Sequence, residues 1–270
     1  MPLSHLRHAP QRIACFLIAV VLMAAVATGL TGCIGSQETA RTEPPTADRL
    51  AALYASAVTD AAMASPVEIS AELTPIAPYV QSLIRRRAPG DSAGREPKHV
   101  RVATWTSHLD TVAQSDSLHT TWGDTWVTVA PEMKTFCQGL HLRGDALDVR
   151  LAQRLGLPPD TRHERFVEYW VRPDDLFRPC PDPEITDQDC ERSRPRPSSR
   201  VAVSDEHTAW MDSVHATSYG ENGYPWTRLG YTYDWNPETP ETGPSEYVIP
   251  KGSTVEVHAN IETTEYCIED

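Results

Sequence analysis

Residues Thr227 to Trp235 read TRLGYTYDW, a stretch in which large apolar side chains alternate with small or polar ones. Side chains of a β-strand point alternately to its two faces. One face of this segment would therefore carry four apolar side chains, those of Leu229, Tyr231, Tyr233 and Trp235. Because aromatic rings supply much of a sheet's core, we expect Tyr231 and Tyr233 to be buried, and Trp226 and Trp235 at the two ends to be more exposed.

Other strands are predicted on both sides of this segment, most of them in the C-terminal half. Alternating or β-branched residues indicate six strands, in His99–Thr106, Asp124–Ala130, Arg165–Val171, Glu246–Ile249, Thr254–Ile261 and Thr264–Ile268. Helical spacing or capping residues indicate four helices, which start at Thr46, Thr74, Asp145 and Ser204, the second of them running to Arg87. With helices early and strands bunched late, the order favours an α+β fold with a largely antiparallel sheet.

The N-terminal segment predicts export. An apolar run from Ile13 to Ala27 follows a head whose only ionised side chains are Arg7 and Arg12, and the segment ends in Leu30-Thr31-Gly32-Cys33. A basic head, a short apolar core and small residues at the exit are typical of a secretory signal peptide. The last four residues resemble the bacterial lipobox, in which the cysteine thiol receives a diacylglycerol and the chain is cleaved immediately before it.

This resemblance implies a lipoprotein that begins at Cys33 and is anchored on the extracytoplasmic face of the cell membrane. The alternative is a transmembrane helix over residues 13–30, which have the minimum length for one. A polar, proline-containing stretch follows where such a helix usually places Lys or Arg, and this favours cleavage. We therefore predict a signal peptide at residues 1–32, a flexible tether at 33–47 and a single domain at 48–270.

The charge of the chain bears on its partners. Cleavage would remove two of the 24 basic residues and none of the 37 acidic ones, which leaves 22 against 37 and a formal charge of −15. Binding to a phosphate backbone needs concentrated positive charge, which so negative a field opposes. We therefore expect no nucleic acid partner.

The cysteines agree with export. Cys15 would leave with the signal peptide and Cys33 would carry lipid, so that four remain, Cys137, Cys180, Cys190 and Cys267. An even number in an oxidising compartment indicates two disulfides, with three possible connectivities. Cys180 and Cys190 bracket a short proline-rich loop and suit a local pair, and by elimination Cys137 would join Cys267.

Catalytic and metal-binding patterns are weak. Residues 136–140, FCQGL, resemble the nucleophile element of NlpC/P60 peptidases around Cys137, but Phe136 and Gln138 replace its Asp and Ser, and no histidine in a suitable context follows. No metal-ligand spacing of His or Cys occurs, and the acidic stretch Asp182–Glu191 lacks the glycine of an EF-hand loop. We therefore predict no catalytic residue, no metal and no cofactor.

The densest cluster of aromatic residues is a candidate binding surface. Six aromatic residues lie between Tyr219 and Trp235. Rings beside carboxylates suit stacking against a sugar, so that Trp226, Trp235, Glu221 and Asp234 are possible ligand-binding residues and envelope glycan a possible partner. The alternative is that these rings pack in the core.

The segments YPWTRLGYTYDW at 224–235 and SEYVIPKG at 245–252, with Tyr266-Cys267 near the end, resemble uncharacterised actinobacterial secreted lipoproteins. The resemblance covers about the last fifty residues and implies no activity. We expect a membrane-anchored lipoprotein that binds or supports a component of the envelope and is not an enzyme. The alternatives are a cell-wall or glycan hydrolase, for which Glu221 and Asp234 would have to converge in a cleft, and a receptor for small solutes.

Overall fold

Alternating apolar residues form one antiparallel sheet in the computed structural model, which describes residues 45–87, 99–108, 114, 117–193, 203–220 and 222–268. Its seven strands within these residues are β1 (Arg85–Arg86), β2 (His99–Thr106), β3 (Ser117–His119), β4 (Thr125–Val129), β5 (Arg165–Val171), β8 (Tyr247–Ile249) and β9 (Thr254–Glu262). They follow the order β3-β9-β5-β2-β4-β8, and β1 pairs with the start of β2. A separate two-stranded ribbon joins β6 (Tyr231–Tyr233) to β7 (Thr242–Ser245).

The described residues also form five α-helices. They are α1 (Ala47–Ala61), α2 (Ala130–Gln138), α3 (Asp145–Arg154), α4 (Asp205–Ser218) and α5 (Thr263–Tyr266). The hydroxyl of Thr46 caps α1 and that of Ser204 caps α4, as the sequence predicts. Single 3₁₀ turns occupy Pro66–Glu68 and Pro173–Asp175. The predicted α+β fold with an antiparallel sheet is confirmed.

The described residues belong to a compact unit that spans residues 44–270. None of their helices is long and apolar enough to cross a membrane. The predicted signal peptide, Cys33 and most of the predicted tether lie outside the described residues.

The sheet buries both of its faces. On the first face the valines of β2, β4 and β5 pack with Tyr169 and Tyr247 beneath two irregular segments, which contribute Ile76, Leu83, Leu176 and Ile185. On the second face Trp105 and Phe166 pack against helices α1, α2, α3 and α5. Phe166 stacks on Tyr266 of α5, with ring centroids 4.1 Å apart. Successive side chains of a strand point to opposite faces of the sheet, so the central strands β2 and β5 contribute large side chains to both clusters.

The far end of the second face is charged instead. Arg86 forms an ion pair with Glu256, and its guanidinium lies 4.8 Å from the ring centre of Trp170. Arg101 pairs with the buried Glu168 at 3.3 Å. These cations are therefore held by carboxylates of the same sheet.

The described residues contain two disulfides, and they are the pairs expected from the sequence. Cys137, near the end of α2, is bonded to Cys267, which follows α5. Cys180 is bonded to Cys190 across the short loop between them. A bonded Cys137 has no free thiol and cannot act as a nucleophile.

The helix predicted over Thr74–Arg87 is wrong. The backbone N–H groups of Leu73 and Ile76 donate instead to the carbonyls of Gln188 and Ile185, and the segment ends in the strand β1. Pro78 has no N–H to donate within a helix. The segment instead lies over the first face of the sheet, where Ile76 and Leu83 are buried.

Near the C-terminus, the strand predicted over Thr264–Ile268 is wrong. Residues 264–266 belong instead to α5, in which Thr263 and Tyr266 are both buried because side chains three residues apart share one face of a helix. The disulfide of Cys267 holds the end of this turn against α2.

The strand predicted over Thr227–Trp235 is shorter than expected. Arg228 and Gly230 have positive φ angles of 59° and 77°, so the chain turns here and the strand begins only at Tyr231. A side chain at Gly230 would meet the buried Arg178, with a Cβ only 2.6 Å from its Cδ. Tyr231 and Tyr233 are buried, which confirms the prediction that they belong to the core.

Helix α2 was not predicted from the sequence, because its first residue directly follows the β-branched run of β4. Pro131 stands in the first turn of the helix, where its missing N–H costs little. Met133 and Cys137, four residues apart, are its buried side chains together with Ala130. The proline and this spacing were the signals available.

Candidate ligand-binding site

A cavity of about 540 Å³ lies on the second face of the sheet. The sheet contributes one wall through β2, β4 and Phe166, and the chain between Tyr224 and Tyr233 contributes another. Leu155, Gly156 and Leu157, which follow α3, and three residues of α4 close the remaining sides. This volume falls within the range of natural small-molecule sites.

The walls are mainly apolar and include several aromatic side chains. Trp105, Trp126 and Trp226 all line the cavity. The ring centres of Trp126 and Trp226 lie 6.2 Å apart, and Trp210 of α4 packs against both, at 5.9 and 6.1 Å. The indole N–H of Trp210 donates to the carboxylate of Asp124 at 2.6 Å, which holds α4 in place beside the cavity.

Three polar groups on the cavity wall have no hydrogen-bond partner among the described residues. The hydroxyl of Thr128 and the indole N–H of Trp226 are both buried and unpaired. The carboxyl of Glu246 also lines the cavity, and no hydrogen bond or ion pair joins it to another described residue. Since most buried polar groups are paired, these unpaired groups of residues around one cavity mark it as a candidate binding site.

Glu246 and Thr128 are neighbours in the sheet. Strand β4 pairs with β8 in the register Trp126 to Val248 and Val127 to Tyr247. Extending this register by one residue places Glu246 opposite Thr128. Both side chains then lie on the same face as Trp126, because residues two apart in a strand share a face.

The environment of Glu246 favours its neutral form. The residue is half-buried and lines the cavity. Burial raises the pKa of this carboxyl to about 8, and no neighbouring charge offsets the effect. Glu246 is therefore mostly protonated at pH 7.

Several other polar residues of the wall are already paired. The hydroxyl of Thr232 donates to the carbonyl of Arg154 at 2.7 Å, and that of Ser218 donates to the carbonyl of Val214 at 2.8 Å. Nδ1 of His163 lies 3.0 Å from the hydroxyl of Ser107. Burial and the nearby His108 lower the pKa of His163, so that its ring is neutral at pH 7. No Lys or Arg lines the cavity within the described part of the chain.

The structure separates the predicted ligand-binding residues. Trp226 lies on the cavity wall, whereas Trp235 does not. Both are buried, with exposed fractions of 6% and 4%, so the expectation that they are exposed is wrong. The indole of Trp235 donates to the carbonyl of Leu157, and its ring packs edge-on against Tyr54. Glu221 lies outside the described residues.

Asp234 is buried in an ion-pair network. Arg150 donates to both oxygens of its carboxylate, at 3.0 and 2.8 Å, and Arg154 donates to one of them at 3.2 Å. Both arginines belong to α3, so the network ties this helix to the chain that follows β6. Asp234 does not line the cavity.

The acidic loop between Cys180 and Cys190 brings three carboxylates together. Oxygens of Asp182, Glu184 and Asp187 lie within 4.8 Å of one another. Fully buried Arg178 forms an ion pair with Asp187, and the backbone N–H of Glu184 donates to Asp182. The protein itself therefore supplies partners for this cluster.

Glu246 and Thr128 were not predicted from the sequence as ligand-binding residues. The signal for Glu246 was its place at the start of a predicted strand whose same face carries Val248. A carboxyl on the apolar face of a buried strand is unusual and merits a functional hypothesis. Thr128 gave no such signal, because threonine is common in strands.

Comparison of the chain with protein-family models, curated proteins and solved structures finds no match. The cavity and its residues are therefore the observations that bear on function.

Proposed function

We propose that this protein is a lipid-anchored lipoprotein of a bacterial envelope that binds a small, largely apolar molecule in the cavity beside the sheet. The observation that carries this proposal is a mainly apolar cavity of about 540 Å³, lined by three residues with unpaired polar groups, Thr128, Trp226 and Glu246. Apolar walls with a few polar groups are the usual composition of small-molecule sites. The lipobox at Cys33 supports the envelope location.

A hydrolase receives less support from the geometry. Hydrolysis of a glycosidic bond generally needs two carboxyl groups on one cleft. Among the described residues Glu246 is the one carboxyl on the cavity wall, and Asp234 is held by two arginines elsewhere. Binding without catalysis is therefore the function that the arrangement supports best, and it agrees with a receptor for small solutes.

The test is the binding of a small aromatic probe to the full-length protein extracted in dodecyl maltoside. Indole, followed by isothermal titration calorimetry, should bind to the wild type with one site per chain. Ala103 is buried on the cavity wall, so Ala103→Phe should fill part of the space and weaken indole binding at least tenfold.

A matched variant controls for overpacking. Ala152 is equally buried in α3 but does not line the cavity. Ala152→Phe should therefore lower the melting temperature more than Ala103→Phe does, because its ring has no space to enter. Equal destabilisation by the two variants, or a wild type that binds no indole, would contradict the proposal.

A further inference from the structure

The chemistry of the cavity also specifies the charge of its ligand. Glu246 is the one acidic residue on the wall among the described residues, and neither Lys nor Arg lines the cavity beside it. An anionic ligand would face a carboxyl and find no cation. A neutral ligand could satisfy the hydroxyl and the indole and leave Glu246 protonated, whereas a cation would also give an ionised Glu246 a partner of opposite charge.

The aromatic walls favour a positive charge. The faces of indole rings attract cations, and the attraction grows when water is excluded. Trp126 and Trp226 meet edge to face with their planes at 88°, so that two indole rings of different orientation border the same space. A carboxyl beside such rings can balance a cation that the rings attract.

We infer that the ligand is an organic cation, a substituted ammonium compound with an apolar body, whose charge is balanced by Glu246 and contacted by the tryptophans of the wall. This inference rests on the proposed function and names the chemical class of the ligand. The overall charge of the protein, −13 for the full sequence, favours the approach of such a cation.

Cation binding is coupled to the loss of a proton. Burial holds the pKa of Glu246 at about 8 in the empty cavity, so a cation that pairs with the carboxylate must displace a proton below this pH. His163 is the other wall residue that titrates near neutrality, and its pKa is lowered. Burial raises the pKa of Tyr231 to about 12 and also raises that of Tyr233, so both stay neutral.

The experiment compares two probes of the same shape. Benzyltrimethylammonium carries a fixed positive charge, and neopentylbenzene replaces its nitrogen by carbon. At pH 8.5 calorimetry on the full-length protein should show that the cation binds at least tenfold more tightly than the neutral probe. In Glu246→Gln the ratio of the two affinities should fall to about one or below.

The pH dependence provides a second readout. Between pH 8.5 and pH 6.5 the affinity of the wild type for the cation should fall by tenfold or more, because Glu246 becomes protonated. The affinity for neopentylbenzene should change little. His163→Gln should keep the same pH dependence, which separates the contribution of Glu246 from that of the histidine.

The outcomes distinguish this inference from the proposed function. If neither probe binds and indole does not bind either, the cavity is not a binding site and both fail. If neopentylbenzene or indole binds but the cation has no advantage, or if Glu246→Gln preserves that advantage, the protein binds small molecules and only the inference of a cationic ligand fails.

Discussion

At the scale of single residues, the cavity wall combines paired and unpaired polar groups. Thr128 and Thr232 are both buried threonines that line it, but only Thr232 has a hydrogen-bond partner, the carbonyl of Arg154. A buried polar group without a partner costs free energy, whereas a paired one contributes. The two positions therefore have opposite effects on stability.

Replacing these threonines by valine, which has the same shape, tests this difference. Thr128→Val should leave the free energy of unfolding unchanged or raise it by up to about 1 kcal/mol in the ligand-free protein, because it removes an unpaired hydroxyl. Thr232→Val should lower it by about 1 to 2 kcal/mol, because the carbonyl of Arg154 loses its donor. Chemical denaturation of both variants measures the effect, and equal losses would show that Thr128 is paired.

Glu246 should make stability depend on pH. Its folded-state pKa of about 8 lies above the ordinary value of about 4.3, so between these values the folded protein binds one more proton than the unfolded chain. The free energy of unfolding therefore falls as pH rises through this window, by at most about 1.4 kcal/mol per pH unit.

The matched comparison is Glu246→Gln, which cannot ionise. At pH 4.5 the variant and the wild type should be about equally stable, and the variant should become progressively more stable than the wild type at pH 5.5, 6.5 and 7.5. Denaturant titrations at each pH give the difference. If the difference in the free energy of unfolding between the variant and the wild type stayed constant with pH, folding would not raise the pKa of Glu246.

At the scale of elements, a buried ion-pair network and a disulfide hold three helices in place. Helix α3 is joined to the chain after β6 through Arg150, Arg154 and Asp234, whose carboxylate is fully buried. Helix α2 is joined to the end of α5 through Cys137 and Cys267. Both connections hold elements that pack on the second face of the sheet, beside the cavity.

The ion-pair network should be essential to the attachment of α3. Asp234→Ala leaves Arg150, itself 8% exposed, without its partner and should cost about 3 to 5 kcal/mol of folding free energy. The surface pair of Arg172 and Asp175 is the control, because its side chains are 55% and 27% exposed. Asp175→Ala should cost at most about 1 kcal/mol. Similar losses in the two variants, measured by denaturant unfolding, would contradict this.

The two disulfides should differ in their contribution to stability. Cys137 and Cys267 are separated by 130 residues, and Cys180 and Cys190 by 10. In the chain-entropy description, loss of the long loop costs about 5 kcal/mol and loss of the short one about 3 kcal/mol. The double Cys→Ala variant of Cys137 and Cys267 should therefore melt at a lower temperature than that of Cys180 and Cys190. The reverse order would show that the entropy of the unfolded chain does not dominate.

At the scale of the whole molecule, the proposed lipoprotein signal would place the cavity at the membrane surface. Two acyl chains anchor a soluble domain stably, whereas one gives only marginal binding. Cys33→Ala should therefore abolish lipidation and release from the signal peptide, as judged by mass spectrometry and membrane fractionation. Cys15→Ala, a change in the same segment, should leave both unaffected. A wild type without lipid, or one that retains residues 13–30, would disprove the lipoprotein assignment.

Local and regular sequence patterns were enough to predict several strands, helix starts and disulfides. Strands β2 and β5 have the predicted bounds, His99–Thr106 and Arg165–Val171, because alternating large side chains specify two buried faces. The caps at Thr46 and Ser204 and both disulfide pairs were also predictable. In each case the physical cause lies within a few residues or in the cysteine count.

Which residues line the cavity, and which segments depart from their local preference, depends on contacts between distant parts of the chain. Residues 74–87 do not form the predicted helix, because backbone groups of this segment pair with the loop at residues 185–188 and with β2, more than a dozen residues away. Glu246, Thr128 and Trp226 meet on one cavity through strand register and a turn at Arg228, which no local pattern reports. Periodicity indicates which side of an element is buried, but the partner across that side depends on how distant segments pack.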